Sequence, residues 1–280
     1  MTTDGRRTAL VTGGASGLGL ATAGALAAQG LHVVLLARDA GRGEVARDRL
    51  RAAHEVPVEL VVGDLSDTAG VRASAAAVLA ACPRLDVLVH NAGTWPDRRR
   101  LNADGVEQAF AVNHLAPFLL NALLEELLAE SGARVVQVSA GLYVKGRAEP
   151  GATATGERFS SLRTYADTKL CNLAMTPLWA RRWQPRRVAI DAVHPGVLRT
   201  ALGDRGGPVG LLLRLAKRSW EAPEVGAARV ARLATAPELA GVTGRYVELE
   251  TEVPLAPPAD DAALAAALWD EAARLTGAPL

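Results

Sequence analysis

Cysteine is almost missing from this chain: two residues, Cys82 and Cys171, stand among 280. Two thiols build no disulfide framework, and they fit a reducing compartment. Excess charge is missing as well. Lys plus Arg number 31 against 30 Asp plus Glu, a net charge of +1, which argues against nucleic acid or a membrane surface as a partner recruited by bulk charge. No apolar run approaches the ~20 residues of a membrane-spanning helix. The polar start "MTTDGRRT" leads straight into an apolar stretch, unlike a signal peptide. The five histidines show no metal-ligand spacing, so no metal site is expected. With 49% hydrophobic and 22% charged residues, the composition is that of a soluble globular protein, expected in the cytoplasm. No repeat or linker-like change in composition divides it, so residues 1–280 read as one domain.

What is present is an alternation. Short Val- and Leu-rich runs recur at Thr8 to Gly13, His32 to Ala37, Val58 to Asp64, Asp86 to Gly93, Ala133 to Ala140, Val188 to Gly196 and Gly244 to Glu250. They lack clean two-residue alternation, as strands buried on both faces of a parallel sheet do. Longer amphipathic segments separate them: Leu18 to Gln29, Ala40 to Ala53, Asp67 to Ala81, Asn102 to Ser131, Leu162 to Trp183 and Pro223 to Ala236. A last helix is expected near the C-terminus, opened by Asp and closed by Gly277. Strand alternating with helix predicts an α/β fold: a doubly wound parallel sheet of about seven strands with helices on both faces. Two stretches break the rhythm, at about 141–161 and 198–222. Both follow strand ends, where open α/β sheets bind ligands. The second carries an apolar patch, Leu211 to Leu215.

The first strand passes into the first helix through "TGGASGLG", with Gly13, Gly17 and Gly19. Glycine permits the tight turn and lets backbone N–H groups approach a pyrophosphate. The helix N-terminus adds free donors and the positive end of a dipole. In this context the turn predicts a bound dinucleotide. At the end of the second strand, NAD-specific sites place an acid on the adenosine ribose. Here that position is Ala37, followed by Arg38, and a guanidinium there can pair with the 2′-phosphate of NADPH. Asp39 could still serve as a displaced ribose ligand, which leaves NAD(H) open.

The chain has three tyrosines and three lysines, and "YADTK" places Tyr165 and Lys169 one helical turn apart, on one face. Such a pair is either incidental surface chemistry or a means of moving the tyrosine's pKa. The order and spacing of "TGGASGLG", "HNAG", Ser139, "YADTK" and "HPG" resemble the short-chain dehydrogenase/reductases, over nearly the whole chain. "VNHLAPFLL" and "LWDEAARLTG" are similar to the branch of retinol dehydrogenases and carbonyl reductases.

That resemblance implies a Rossmann-type fold and a role at each matching position. Tyr165 would be the general acid/base, with Lys169 holding the nicotinamide ribose and lowering the tyrosine's pKa. Ser139 would hold the substrate oxygen, and Asn113, in a long fifth helix, would anchor a proton-relay water. Ser16 and Leu18 belong to the glycine turn. Asp64 and Leu65 would flank the adenine, and Asn91, Ala92 and Gly93 would lie beside the ribose. Pro195, Gly196 and Thr200 would frame the nicotinamide. A free tyrosine titrates near pH 10, and a nearby ammonium, with the cofactor's positive ring, would bring it toward working pH.

Two positions depart from the family pattern: His90 replaces a first Asn of an "NNAG" run, and Thr168 replaces a Ser. Neither removes a catalytic group. His90, His114 and His194 read as core or supporting side chains, and Cys171 as packing. Trp95 and Trp220 could line a pocket, whereas Trp183 reads as packing. The expected activity is NADPH-dependent reduction of a ketone or aldehyde on a bulky hydrophobic small molecule. The alternatives are NAD-linked alcohol oxidation, enone or quinone reduction or cyclisation on the same residues, and a non-catalytic NADP(H)-sensing protein. The substrate, its stereochemistry and the choice between monomer and homo-oligomer stay open.

Overall fold

The computed structural model describes residues 5–204 and 217–280. The Val- and Leu-rich runs form one sheet from β1 (Thr8–Thr12), β2 (His32–Ala37), β3 (Val58–Val62), β4 (Val87–His90), β5 (Arg134–Val138), β6 (Ala189–His194), β7 (Tyr246–Glu248) and β8 (Thr251–Val253). The order is β3-β2-β1-β4-β5-β6-β7-β8. Strands β1 to β7 are parallel, with Leu10 set against Val34 on one side and Leu88 on the other. The eighth strand was not expected. It returns antiparallel to β7, and its three residues, "TEV", are too few to show a period.

The helices are α1 (Gly17–Ala28), α2 (Ala40–Ala53), α3 (Thr68–Ala81), α4 (Gln108–Phe110), α5 (Ala116–Leu123), α6 (Glu125–Ser131), α7 (Ala152–Thr155), α8 (Ser161–Trp183), α9 (Pro223–Thr235) and α10 (Ala262–Thr276). Side-chain alternation along β1 splits the core in two. Ala9 and Val11 pack with Leu26 of α1, Leu50 of α2 and Val230 of α9. Leu10 faces the other way, toward Val78 of α3, Leu119 of α5, Leu173 of α8 and Leu268 of α10. Both faces are therefore covered, as the unalternating strand sequences require. Asp261 caps α10 by accepting from the Ala263 and Leu264 N–H groups, and Gly277 ends it in the left-handed region at φ 56°.

One expected helix, Asn102 to Ser131, is broken. The Asn102 side chain accepts from the N–H groups of Asp104 and Val106, which holds 102–106 in a turn. Helix then starts at Glu107, whose carboxylate accepts from the Phe110 N–H, and widens into a π turn over Ala111–Leu115. Pro117, in the first turn of α5, has no N–H to continue the ladder. Asn113 thus sits on a π turn inside the helical run, a feature often found at functional sites.

Candidate active site

The chain leaves β1, winds out through β2 and β3, and returns to β4 on the opposite side of β1. That reversal opens a crevice at the carboxyl ends of the strands. The glycine turn lies in it. Gly13 has φ 65° and Gly17 φ 52°, values that favour glycine. A Cβ on Gly19 would stand 2.3 Å from the Gly13 oxygen, so the turn closes only without side chains. Asn91 and Thr12 fasten it to β4. The Thr12 hydroxyl accepts from the Asn91 N–H at 3.0 Å and the Ala92 N–H at 2.9 Å, and the Asn91 amide donates to the Thr12 oxygen at 2.9 Å.

The start of α1 fits a phosphate. Helices α2, α3, α8 and α10 each open with an Asp or Ser side chain accepting from their own backbone N–H groups. Ser16 makes no such bond at α1, and no acidic residue stands in the first turn. The free donors and the dipole's positive end are left uncompensated, which suits an anionic group. Thr200 comes to this turn from β6: a Cβ on Gly17 would lie 3.4 Å from its side chain. The Leu36 carbonyl accepts from the Gly13 and Gly14 N–H groups, which brings the end of β2 alongside. Arg38 is exposed there with no acidic partner among the described residues, while Asp39 accepts from the Arg42 N–H as the cap of α2. Asp64, whose carboxylate accepts from the Ser66 N–H, and buried Leu65 follow β3. Pro195 and Gly196 follow β6, and the Pro195 carbonyl accepts from Arg229.

The second half of the crevice gathers the remaining expected residues. Tyr165 and Lys169 are buried on one face of α8, and the Lys169 ammonium stands 5.7 Å from the Tyr165 ring centre. It donates to the Val138 oxygen at 3.0 Å, next to Ser139. The Ser139 hydroxyl is buried and makes no hydrogen bond among the described residues. Burial pushes the Tyr165 phenol above its ordinary value, and burial lowers the Lys169 ammonium to about 8. Within the chain itself, burial is the influence on the Tyr165 phenol. Asn113 does not offer a free amide. Its side chain accepts from the Thr94 N–H at 2.7 Å and donates to the Thr94 oxygen and the Thr168 hydroxyl, while its own carbonyl accepts from Asn172. Thr168 also donates to the Tyr165 carbonyl at 2.8 Å, so the departure from Ser keeps the hydroxyl that links α8 to the π turn.

Thr12, Asn172 and Lys217 carry no motif signal, because they act through contacts between distant segments. Lys217 is buried and donates to the carbonyls of Thr200 and Leu202 and to Asp204, tying down the 200–204 turn. The segment after β5 is likewise held: Glu271 of α10 accepts from the Gly151 N–H, and the Tyr143 hydroxyl accepts from the Ala256 N–H. Its first residues form a 3-10 turn over Gly141–Lys145. The apolar patch Leu211 to Leu215 lies outside the described residues. Trp183 is core, packed against Trp179, and Cys171 is buried with its thiol pushed far up by burial. His90 and His114 are buried neutral bases bonded to Asn121 and Asn172, and burial lowers both to about 4. Among the described residues, no helix is long and apolar enough to cross a membrane.

Residues 7–206 match the family profile described as short chain dehydrogenase. The chain is 38% identical over 284 residues to human retinol dehydrogenase 14, covering 94% of this chain and 84% of that protein. It is 36% identical over 273 residues to a Streptomyces protein named "Putative daunorubicin C-13 ketoreductase DnrU", covering 97% and 93%. A solved, uncharacterised protein from Mycobacterium paratuberculosis superposes with a TM-score of 0.75 at 29% identity, covering 98% of this chain and 95% of that one. Crevice, glycine turn and relatives agree: the chain belongs to the retinol dehydrogenase-like branch of the short-chain dehydrogenase/reductases and is an NAD(P)-dependent oxidoreductase.

Proposed function

We propose that this enzyme uses NADPH to reduce a ketone or aldehyde on a bulky hydrophobic small molecule. The observation that carries the reading is the arrangement of the proton-transfer groups. Tyr165 is buried one helical turn from Lys169, whose ammonium stands 5.7 Å from its ring centre, and a phenol so placed can give a proton to a carbonyl oxygen. Next in sequence to Val138, whose carbonyl accepts from Lys169, the Ser139 hydroxyl is buried with its hydrogen-bonding capacity unspent among the described residues, and such a group is stabilised by an incoming oxygen. Reduced nicotinamide supplies the hydride when bound. The residues do the rest. Ser139 orients the carbonyl oxygen, Tyr165 transfers its proton to that oxygen as the carbon becomes tetrahedral, and Lys169 stabilises the phenolate left behind. Asn113, Thr168 and Asn172 act through position, fixing α8 against the π turn.

Arg38 supports NADPH over NADH, since it is exposed at the end of β2 and unpaired among the described residues, while Asp39 is engaged as a helix cap. The hydrophobic substrate is supported by Val144, Val197 and Leu202, large apolar residues exposed on the segments following β5 and β6. The names of the retinol and daunorubicin relatives point the same way. The test is NADPH oxidation, followed by absorbance, against a panel of retinoid, steroid and aromatic polyketide carbonyls. Carbonyl-dependent oxidation that collapses in Tyr165→Phe is expected. A panel without turnover, or a Tyr165→Phe variant within threefold of wild type, refutes the reading.

A further inference from the structure

The loop 195–200 leaves β6 in the crevice and reaches the glycine turn, where the Thr200 side chain lies against Gly17. What holds that loop lies outside the crevice, on α9. Gly226 and Arg229 are three residues apart, on one face of the helix. A Cβ on Gly226 would come within 2.5 Å of the Leu198 Cδ1 and 3.2 Å of the Pro195 oxygen, so the helix backbone presses directly on the loop. Arg229 then grips it. Its Nη1 donates to the Pro195 carbonyl at 2.8 Å and to the Glu221 carboxylate at 2.7 Å, and its Nη2 donates to the other Glu221 oxygen at 3.1 Å.

Glu221 is bound to the same loop through its backbone. Its N–H donates to the Val197 carbonyl at 3.2 Å, and its carbonyl accepts from the Arg199 N–H at 2.9 Å. Arg229 therefore closes a ring of contacts that runs from Pro195 through Val197 and Glu221 and back to Pro195. Gly196 lies against the pair at φ 105°. A Cβ there would meet the Glu221 carboxylate at 2.6 Å and the Arg229 guanidinium at 2.8 Å, so glycine leaves the room in which the pair crosses the loop. Exposed ion pairs add little to a fold, but the Arg229 side chain is only 12% exposed. A guanidinium taken from water needs fixed acceptors, and here the loop supplies them. The same helix supports the other wall of the crevice. Val230, next to Arg229, packs in one cluster with Leu26 of α1, the helix that opens at the glycine turn.

We propose that Arg229 is a positioning residue for the coenzyme: by joining α9 to Pro195 and Glu221, it fixes the 195–200 loop at the distance from the glycine turn that a dinucleotide needs. Three strands separate β6 from β2, which carries Arg38 at its end, so the effect is the same for NADPH and NADH. It is independent of the carbonyl substrate proposed above.

The test measures the Kd of both coenzymes by nicotinamide fluorescence, on the full chain without substrate. Arg229→Met keeps the apolar stem and removes every donor. It should raise both Kd values by a common factor of about tenfold, that of one charge-assisted hydrogen bond. The KM for coenzyme should rise with Kd, while kcat at saturating coenzyme changes less than threefold. Arg229→Lys, which keeps the charge and a donor, should recover most of the affinity. In the coenzyme-free Arg229→Met protein, amide exchange should quicken at Arg199 and Glu221, whose N–H groups bond across the ring, and not in β1. A purely structural role gives a different pattern: a lower thermal midpoint and less active protein, with the Kd of the folded fraction unchanged. That outcome overturns the assignment, and so does a loss confined to NADPH. If Arg229→Met does not fold, Glu221→Gln decides by the same readout. It keeps the backbone bonds and discharges the pair, and both Kd values should rise about threefold; no rise refutes the proposal. Because Kd needs no turnover, a carbonyl panel without activity removes the reaction proposed above and leaves this assignment standing.

Discussion

Coenzyme preference is the sharpest quantitative consequence of the crevice. Arg38 stands exposed at the carboxyl end of β2, where the Leu36 carbonyl holds the glycine turn. A hydrogen bond between a guanidinium and a phosphate contributes roughly 1.5–3 kcal/mol. Exposure and salt screening place Arg38 at the lower end, and about 1.4 kcal/mol is tenfold. Wild type should therefore prefer NADPH over NADH by about tenfold in kcat/KM, and Arg38→Ala should remove most of that through NADPH alone. Ala37→Asp should reverse the preference, because a carboxylate repels the phosphate and accepts from the ribose hydroxyls. Ala37 is itself buried, at 4% exposure, so the thermal midpoint of that variant is measured alongside to separate coenzyme recognition from lost stability. Both coenzymes are titrated in all three proteins at two salt concentrations, and the preference should shrink at the higher. If wild type uses both coenzymes equally, or Arg38→Ala leaves the ratio unchanged, the phosphate-clamp argument fails.

Three further outcomes are expected. Tyr165→Phe should lower kcat by roughly two to four orders of magnitude while the coenzyme Kd, measured by fluorescence, stays within a few-fold. Lys169, lowered to about 8 by burial, loses its charge as pH rises through that value. The kcat/KM for coenzyme should fall on that limb, and Lys169→Arg, which stays charged, should carry the limb to higher pH; a limb that does not move assigns it to another group. Thr12→Val should leave the Ala92 N–H without its acceptor, while the Asn91 N–H keeps the Val89 carbonyl. A loss of roughly 1–3 kcal/mol per unpaired group follows, read by denaturant unfolding, with coenzyme affinity falling too because the turn loses its anchor.

The alternation of buried strands and amphipathic helices was legible because both periods are local. So were the glycine turn, whose conformation only glycine adopts easily, and the one-turn spacing of Tyr165 and Lys169. What a local pattern cannot hold is which segment a side chain meets. The helical run around Asn113 looked continuous because its apolar spacing persists through the π turn, while the turn at 102–106 depends on where one Asn side chain bonds. The burial that raises the tyrosine's pKa is likewise not local. Charge neighbours four residues away can be read from a sequence, but desolvation depends on everything packed around the ring. Trp95 is the clearest case. Nothing in "NAGTW" says that its indole will rest on a tyrosine 70 residues later in the chain, against a glycine 38 residues beyond that. The sequence by itself determined the seven parallel strands, the glycine turn and the one-turn spacing of Tyr165 and Lys169, each written within one strand or one helical turn. The tertiary structure alone decided what covers that pair, because a contact between β4, α8 and the turn after β6 exists only once the sheet has brought their ends together.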